Sequence, residues 1–176
     1  MPRQAPGFTL IELLVSIAVL GILLAIASPS FASLQRRSAV TSAHNLLLTG
    51  FASARSHAVS FGRLTTICPG SPATGCRSDS IWEEGWLVFV DENGNGRLDA
   101  TDTIVFHENR GTDPVRIRSS KGRPRATFRP DGSAGGTNLT LRLCVGEMVQ
   151  GAIVLSNVGR ARSAGAGELA AMPGCD

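Results

Sequence analysis

Between Asp91 and Asp102 the chain reads DENGNGRLDATD, which puts Asp91, Asn93, Asn95, Gly96 and Asp102 at positions 1, 3, 5, 6 and 12 of the calcium-loop pattern D-x-[DN]-x-[DN]-G-x5-E. The final Asp is shorter than the Glu of that pattern, and the flanking residues read as strands instead of helices. Asn and Gly also suit the positive φ angles of a long hairpin connection. The preferred reading is therefore a hairpin turn with no assigned metal, and Asp91, Asn93, Asn95 and Asp102 stand as the calcium alternative. Further on, Gly159, Arg160, Ala161 and Arg162 form a GRxR sequence. Paired guanidiniums suit bidentate hydrogen bonds to phosphate, and the glycine lets a backbone come close. A solvated loop is the plain alternative.

The remaining reactive types are sparse. His44, His57 and His107 lie outside any HExxH, GxSxG or P-loop pattern, so no catalytic residue and no cofactor are assigned. Cys68, Cys76, Cys144 and Cys175 are an even set without the CxxC pairs of a zinc site. They read as two disulfides of an oxidising compartment, and joining sequence neighbours would link 68 with 76 and 144 with 175.

Glu12 is the single ionisable residue in the apolar run FTLIELLVSIAVLGILLAIA, Phe8 to Ala27. Twenty residues at about 1.5 Å each reach roughly 30 Å, the thickness of a bilayer core. A carboxylate costs about 2.5–3.5 kcal/mol at mid-membrane, so one kept there needs a partner. Ala25, Ile26 and Ala27 offer the A-x-A pattern of a cleavable signal peptide. Against that, Val40, Ala43, Leu47, Phe51, Ala54, Ala58 and Phe61 continue at three- and four-residue steps, one face of an amphipathic helix. The apolar run is thus the first half of a long helix.

The elements that must position these groups follow from the rest of the pattern. A chain of 176 residues with 43% hydrophobic content suits one folded head, and 20 glycines with 9 prolines suit a turn-rich one. After Phe61, runs rich in Val, Ile, Thr, Leu and Phe are punctuated by Gly, Pro and Asp. Strands are expected at 64–68, 86–90, 103–107, 115–118, 126–129, 139–145 and 152–156. Leu139, Leu141 and Leu143 alternate with Thr140 and Arg142, as in a half-buried strand. The fold class is α+β: a long N-terminal helix, one half transmembrane and one half amphipathic, packed on an antiparallel β-sandwich-like head. Charge is uneven. From 78 to 109 eight acidic residues face only Arg97, a net −7, while from 110 to 162 ten Lys or Arg face three acids, a net +7.

Gly7, Phe8, Thr9, Leu10, Ile11 and Glu12 resemble the processing site of type IV prepilins and type II secretion pseudopilins. Together with the GWLVFVDENGNGRLDATDTIV block and the basic GRxR, the chain most closely resembles the FimT/GspH family of minor pilins and pseudopilins. The resemblance implies a leader at 1–7 cut after Gly7 by a prepilin peptidase and N-methylation of Phe8. It further implies a transmembrane and filament-core helix at 8–28, an amphipathic helix at 29–61 that bends or loosens near Pro29, and a β-rich head at 62–176. It places the protein in the inner membrane by a single pass, head in the periplasm, and then in a filament among other pilins or pseudopilins. FimT-type minor pilins of natural transformation imply contact of Gly159, Arg160 and Arg162 with the phosphates of double-stranded DNA. The type II pseudopilins of the H class imply a role in protein export instead.

In this reading Glu12 is neutralised by the methylated amine of a neighbouring subunit's Phe8, which sets the register of assembly. Glu12→Ala is expected to leave processing and head folding intact and to abolish incorporation into filaments, as followed by immunoblot of sheared filaments beside the membrane fraction.

Overall fold

The computed structural model describes residues 7, 9–111, 114–120, 122–136 and 138–175, the side chains of residues 24–30 excepted. Phe8 and Lys121 lie outside the described residues. Helix α1 runs from Leu10 to Phe61 and is assigned as helix through Pro29, whose side chain is not described. The chain divides into two compact units, residues 1–37 and 38–176.

In the first unit every large apolar side chain from Leu10 to Leu23 is exposed. Among the described residues no helix is long and apolar enough to cross a membrane. The apolar run read in the sequence is completed by Phe8 and by residues 24–27, whose side chains are not described.

In the second unit the C-terminal part of α1 carries Ala43, Leu47, Phe51, Ala54 and Ala58 into the main core, each at most 1% exposed. All five fall at three- and four-residue steps from one another because 3.6 residues per turn return a side chain to the same face. Val40 is half-buried, and Phe61 is exposed, its ring beside that of His57 at 4.4 Å between centroids. Gly50 marks the closest approach to the sheet, since a Cβ there would lie 2.9 Å from Trp86 Nε1.

Two antiparallel sheets complete this unit. The first contains β1 (Thr65–Ser71), β2 (Gly75–Cys76), β3 (Gly85–Val90) and β4 (Thr103–Asn109) in the order β2-β1-β3-β4. The short β6 (Ala126–Phe128) pairs with the start of β1. The second sheet has the order β5-β7-β8-β9, formed by β5 (Arg116–Ser119), β7 (Leu139–Val145), β8 (Met148–Leu155) and β9 (Ala161–Ser163). A short helix α2 (Ala166–Ala170) follows. All seven expected strands are present. Strands β2 and β9 and helix α2 were not expected, and β8 begins four residues earlier because its first half pairs across the hairpin with Cys144 and Val145.

Strand β3 is buried along its whole length, which explains why it reads as an unbroken apolar run without alternation. Trp86 and Val88 join the main core with α1, whereas Leu87 and Phe89 point the other way into a second cluster with Cys68, Cys76 and Leu98. Strand β7 has one buried face, and there Leu139, Leu141 and Leu143 alternate with Thr140 and Arg142. Disulfides join Cys68 to Cys76, across the β1–β2 hairpin, and Cys144 to Cys175, holding the C-terminal tail on β7. Arg142 adds to that tether by donating to the Pro173 carbonyl at 2.8 Å.

The helix face inserted into the main core makes a direct stability test. Leu47→Ala removes a fully buried side chain and is expected to lower the unfolding free energy by about 2–5 kcal/mol in denaturant titrations of the full chain.

Candidate functional site

The GRxR residues are divided by the fold. Ser156 to Arg160 forms the turn from β8 to β9, closed by Gly159 N–H donating to Ser156 O at 2.9 Å and Ser156 N–H donating to Arg160 O at 3.0 Å. Ser156 Oγ also accepts from Arg160 N–H at 3.2 Å. Gly159 has φ +79, and a Cβ there would collide with the Gly132 carbonyl oxygen. Glycine is thus required on both counts. Its role in the structure is to let the 156–160 turn pack on the 129–134 turn, which is also joined to it by Ala134 N–H donating to Asn157 O at 2.9 Å.

Arg160 is exposed and has no side-chain partner among the described residues. Arg162 is committed: Nη1 and Nη2 donate to the two carboxylate oxygens of Glu168 at 2.8 and 2.7 Å. Glu168 also accepts from Gly165 N–H at 2.8 Å and so ties the entry of α2 to β9. The Arg162 hydrogen bonds, joined by the Gly165 bond, hold the Glu168 carboxyl at about 2. The same pair raises the Arg162 guanidinium above its usual range.

A groove of ≈ 650 Å³ runs between α1 and this turn, lined by Phe51, Arg55, Val59, Gly159, Arg160 and Ala161 among others. Arg55, exposed on α1, packs over Gly132 and likewise lacks a hydrogen-bond partner among the described residues. Arg129, exposed in the adjoining turn, lies over Gly135 with Asp131 nearby. Arg55 and Arg160 therefore line one groove, built on Gly132 and Gly159, while Arg129 and Gly135 line a separate pocket with Arg123, Arg125 and Thr127.

The other arginines of the basic half are spent within the fold. Arg118 pairs with Glu83, Arg125 donates to Gly96 O, Arg116 to Gly146 O, and Arg123 donates to Gly135 O at 2.7 Å. Burial pushes the half-buried Arg123 guanidinium below its usual range. Trp82 is fully buried against Phe51, with centroids 6.3 Å apart, so it is not available to stack on a base. His44 meets Ser163 Oγ at 3.1 Å, and His57 and His107 are partly buried on α1 and β4. Among the described residues no three Asp, Glu, His or Cys side chains form a ready metal cluster.

At the other end of α1, Gly7 is exposed and Glu12 closes a capping box. Glu12 N–H donates to Thr9 Oγ1 at 3.3 Å, while Thr9 N–H donates to the Glu12 carboxylate at 3.4 Å. Thr9 is a partner the sequence reading missed, although T-x-x-E before an apolar run is its signal. Arg55 and Glu168 carried no comparable signal, because one sits on the polar face of a helix and the other meets Arg162 only through the turn into α2.

Residues 43–160 match the model of the type II transport protein GspH, and residues 2–28 match the prokaryotic N-terminal methylation motif. The chain belongs to the GspH family. Comparison with curated protein sequences finds no match. Among solved structures, the type IV minor pilin FimU of Pseudomonas aeruginosa superposes in one crystal form with a TM-score of 0.60 at 20% identity, covering 75% of this chain and 92% of FimU. A second crystal form gives 0.56 at 21%, covering 71% and 92%. The minor pseudopilin EpsH of Vibrio cholerae gives 0.48 at 9%, covering 73% and 98%.

The Arg162–Glu168 pair has a defined pH signature. Its carboxyl is depressed in the folded protein, so its contribution is present above the ordinary value of 4.5 and is lost as pH falls through about 2. Carbon-detected NMR titration is expected to find Glu168 among the most acidic side chains, and Arg162→Ala to return it towards 4.5.

Proposed function

We propose that the protein is a minor pilin of a type IV pilus that assists assembly and binds the backbone of double-stranded DNA during uptake in natural transformation. It is stored in the inner membrane through residues 8–28 with its head in the periplasm, cut after Gly7 by a prepilin peptidase and methylated on Phe8. It then joins other pilins with Glu12 facing a neighbour's amine. The single observation that carries the DNA reading is the exposed Arg160 on a glycine-built turn beside Arg55, neither side chain having a hydrogen-bond partner among the described residues. Their guanidiniums are free for charge-assisted bonds to phosphate, whereas that of Arg162 is already satisfied. The likeness of the fold to a type IV minor pilin supports the pilus.

A second reading has its own support: the family model is that of a type II transport protein. In it the same anchor and head serve a secretion pseudopilus, and the arginine-lined groove meets an acidic surface of a neighbouring subunit.

Binding of the full chain in detergent micelles to duplex DNA of mixed sequence, followed by fluorescence anisotropy across a salt series, separates the two. The pilus reading expects binding that weakens steeply with salt, with Arg160→Ala lowering affinity for every sequence and reducing the salt slope by about one. Arg162→Ala is expected to change it little. Absence of binding by the unaltered protein favours the secretion pseudopilus.

A further inference from the structure

Asp91, the first residue after β3, is only 1% exposed. Its Oδ2 accepts from Gly96 N–H at 2.9 Å and from Thr66 Oγ1 at 3.0 Å, yet Oδ1 has no hydrogen-bond partner, and no Lys, Arg or His pairs with the carboxylate among the described residues. A buried carboxylate with one bare oxygen and no counter-charge is strongly disfavoured unless a cation joins it.

Asp91 opens the cation-loop pattern read in the sequence. Gly96, with φ +69, turns the chain so that its N–H reaches back across the loop to Asp91. Asn93 and Asn95 both direct their amides at one atom, Asp99 Oδ2, at 2.8 and 3.1 Å, so three of the loop's side chains converge on one point. Asp102 closes the loop by accepting from Glu92 N–H at 3.0 Å and from Asp99 N–H at 2.9 Å. The β3–β4 register pairs Val90 with Thr103, so Asp91 and Asp102 leave the ladder as neighbours. Two strands thus hold the first and last positions together where helices would otherwise do so, and the shorter Asp102 still spans the loop. Leu98, packed on Leu87, Phe89 and the Cys68–Cys76 pair, anchors the loop from below.

We propose that residues 91–102 are a calcium site, with side-chain oxygens of Asp91, Asn93, Asn95, Asp99 and Asp102 and the Arg97 carbonyl as ligands. The set is all oxygen and, with Asp102 bidentate, supplies about seven donors, the number a flexible Ca²⁺ shell takes and more than the strict octahedron of Mg²⁺ accepts. It mixes amides and a main-chain carbonyl with three carboxylates, and because Asp91, Asp99 and Asp102 do not form a ready cluster in the loop as folded, the ion would draw them together. Asn93 Oδ1 and Asn95 Oδ1 each accept one backbone N–H, at 3.1 and 2.6 Å, and each Asp102 oxygen likewise, so every one retains a lone pair for the ion. The ion would neutralise Asp91 and lock the β3–β4 connection, whether the filament is a pilus or a pseudopilus.

The test is calorimetric titration of CaCl2 into EDTA-treated full chain in detergent micelles, with MgCl2 as control, beside thermal melts of the same samples. Saturable binding of one Ca²⁺ per chain is expected, with a Kd in the range of about 10⁻⁴–10⁻³ M of extracellular calcium modules and a rise in Tm that Mg²⁺ does not reproduce. Asp91→Asn should abolish both signals. Asn93→Ala, at an exposed position that spares the core, should weaken binding by about tenfold or more. No saturable heat and no Tm shift at about 10 mM Ca²⁺ overturns the proposal, as does a shift that Asn93→Ala leaves intact.

Discussion

Burial of one stripe of α1, from Ala43 to Ala58, among side chains of both sheets is the constraint on which the rest of the head depends. Small residues at three of its five positions, with Gly50 beside them, let the helix backbone lie close against Trp86 and β3. Leu47 and Phe51 fill what space remains. Because that stripe belongs to the same compact unit as the strands, the head has no complete core without its helix. Whatever load reaches this segment of α1 is therefore carried by packing that also holds the strands in register.

From that packing follows the fate of the basic half of the chain. Most of its guanidiniums are consumed by carbonyls and carboxylates that the strands and turns would otherwise leave unsatisfied: Arg118 by Glu83, Arg123 and Arg125 by main-chain oxygens, Arg142 by the tail, Arg162 by Glu168. A side chain with five donors suits this work, since one arginine satisfies two acceptors at once. Among the described residues, Arg160 in its turn and Arg55 on the helix keep exposed guanidiniums for an external anion along one groove. The net charge of the segment overstated the available surface because charge counts do not register internal pairing.

Sheet geometry also accounts for the acidic side. The 91–102 connection carries much of the negative excess of its region, with the Asn93 and Asn95 amides converging on Asp99 and the ends of the loop brought together by β3 and β4. Its underside is fixed by Leu98 on the second, smaller cluster, so its position is set by apolar contact and its conformation by backbone N–H groups.

The sequence by itself determined the helix, its buried stripe from Ala43 to Ala58, the seven main strands and the membership of the family, because periodicity and a short N-terminal motif are local properties that survive without three-dimensional context. It also exposed the loop pattern at Asp91 and the GRxR turn. Only the tertiary structure decided how those groups are placed: that Arg162 is spent on Glu168 while Arg160 has no side-chain partner among the described residues, that Arg55 joins it from the helix, that Trp82 is interior, and that Asp91 lies buried with no counter-charge among the described residues. The short β2, β9 and α2 were hidden for the same reason. Each has too few residues for a periodic signal and exists through pairing or docking with distant parts of the chain, and such long-range partners are set by the fold and not by neighbours in sequence.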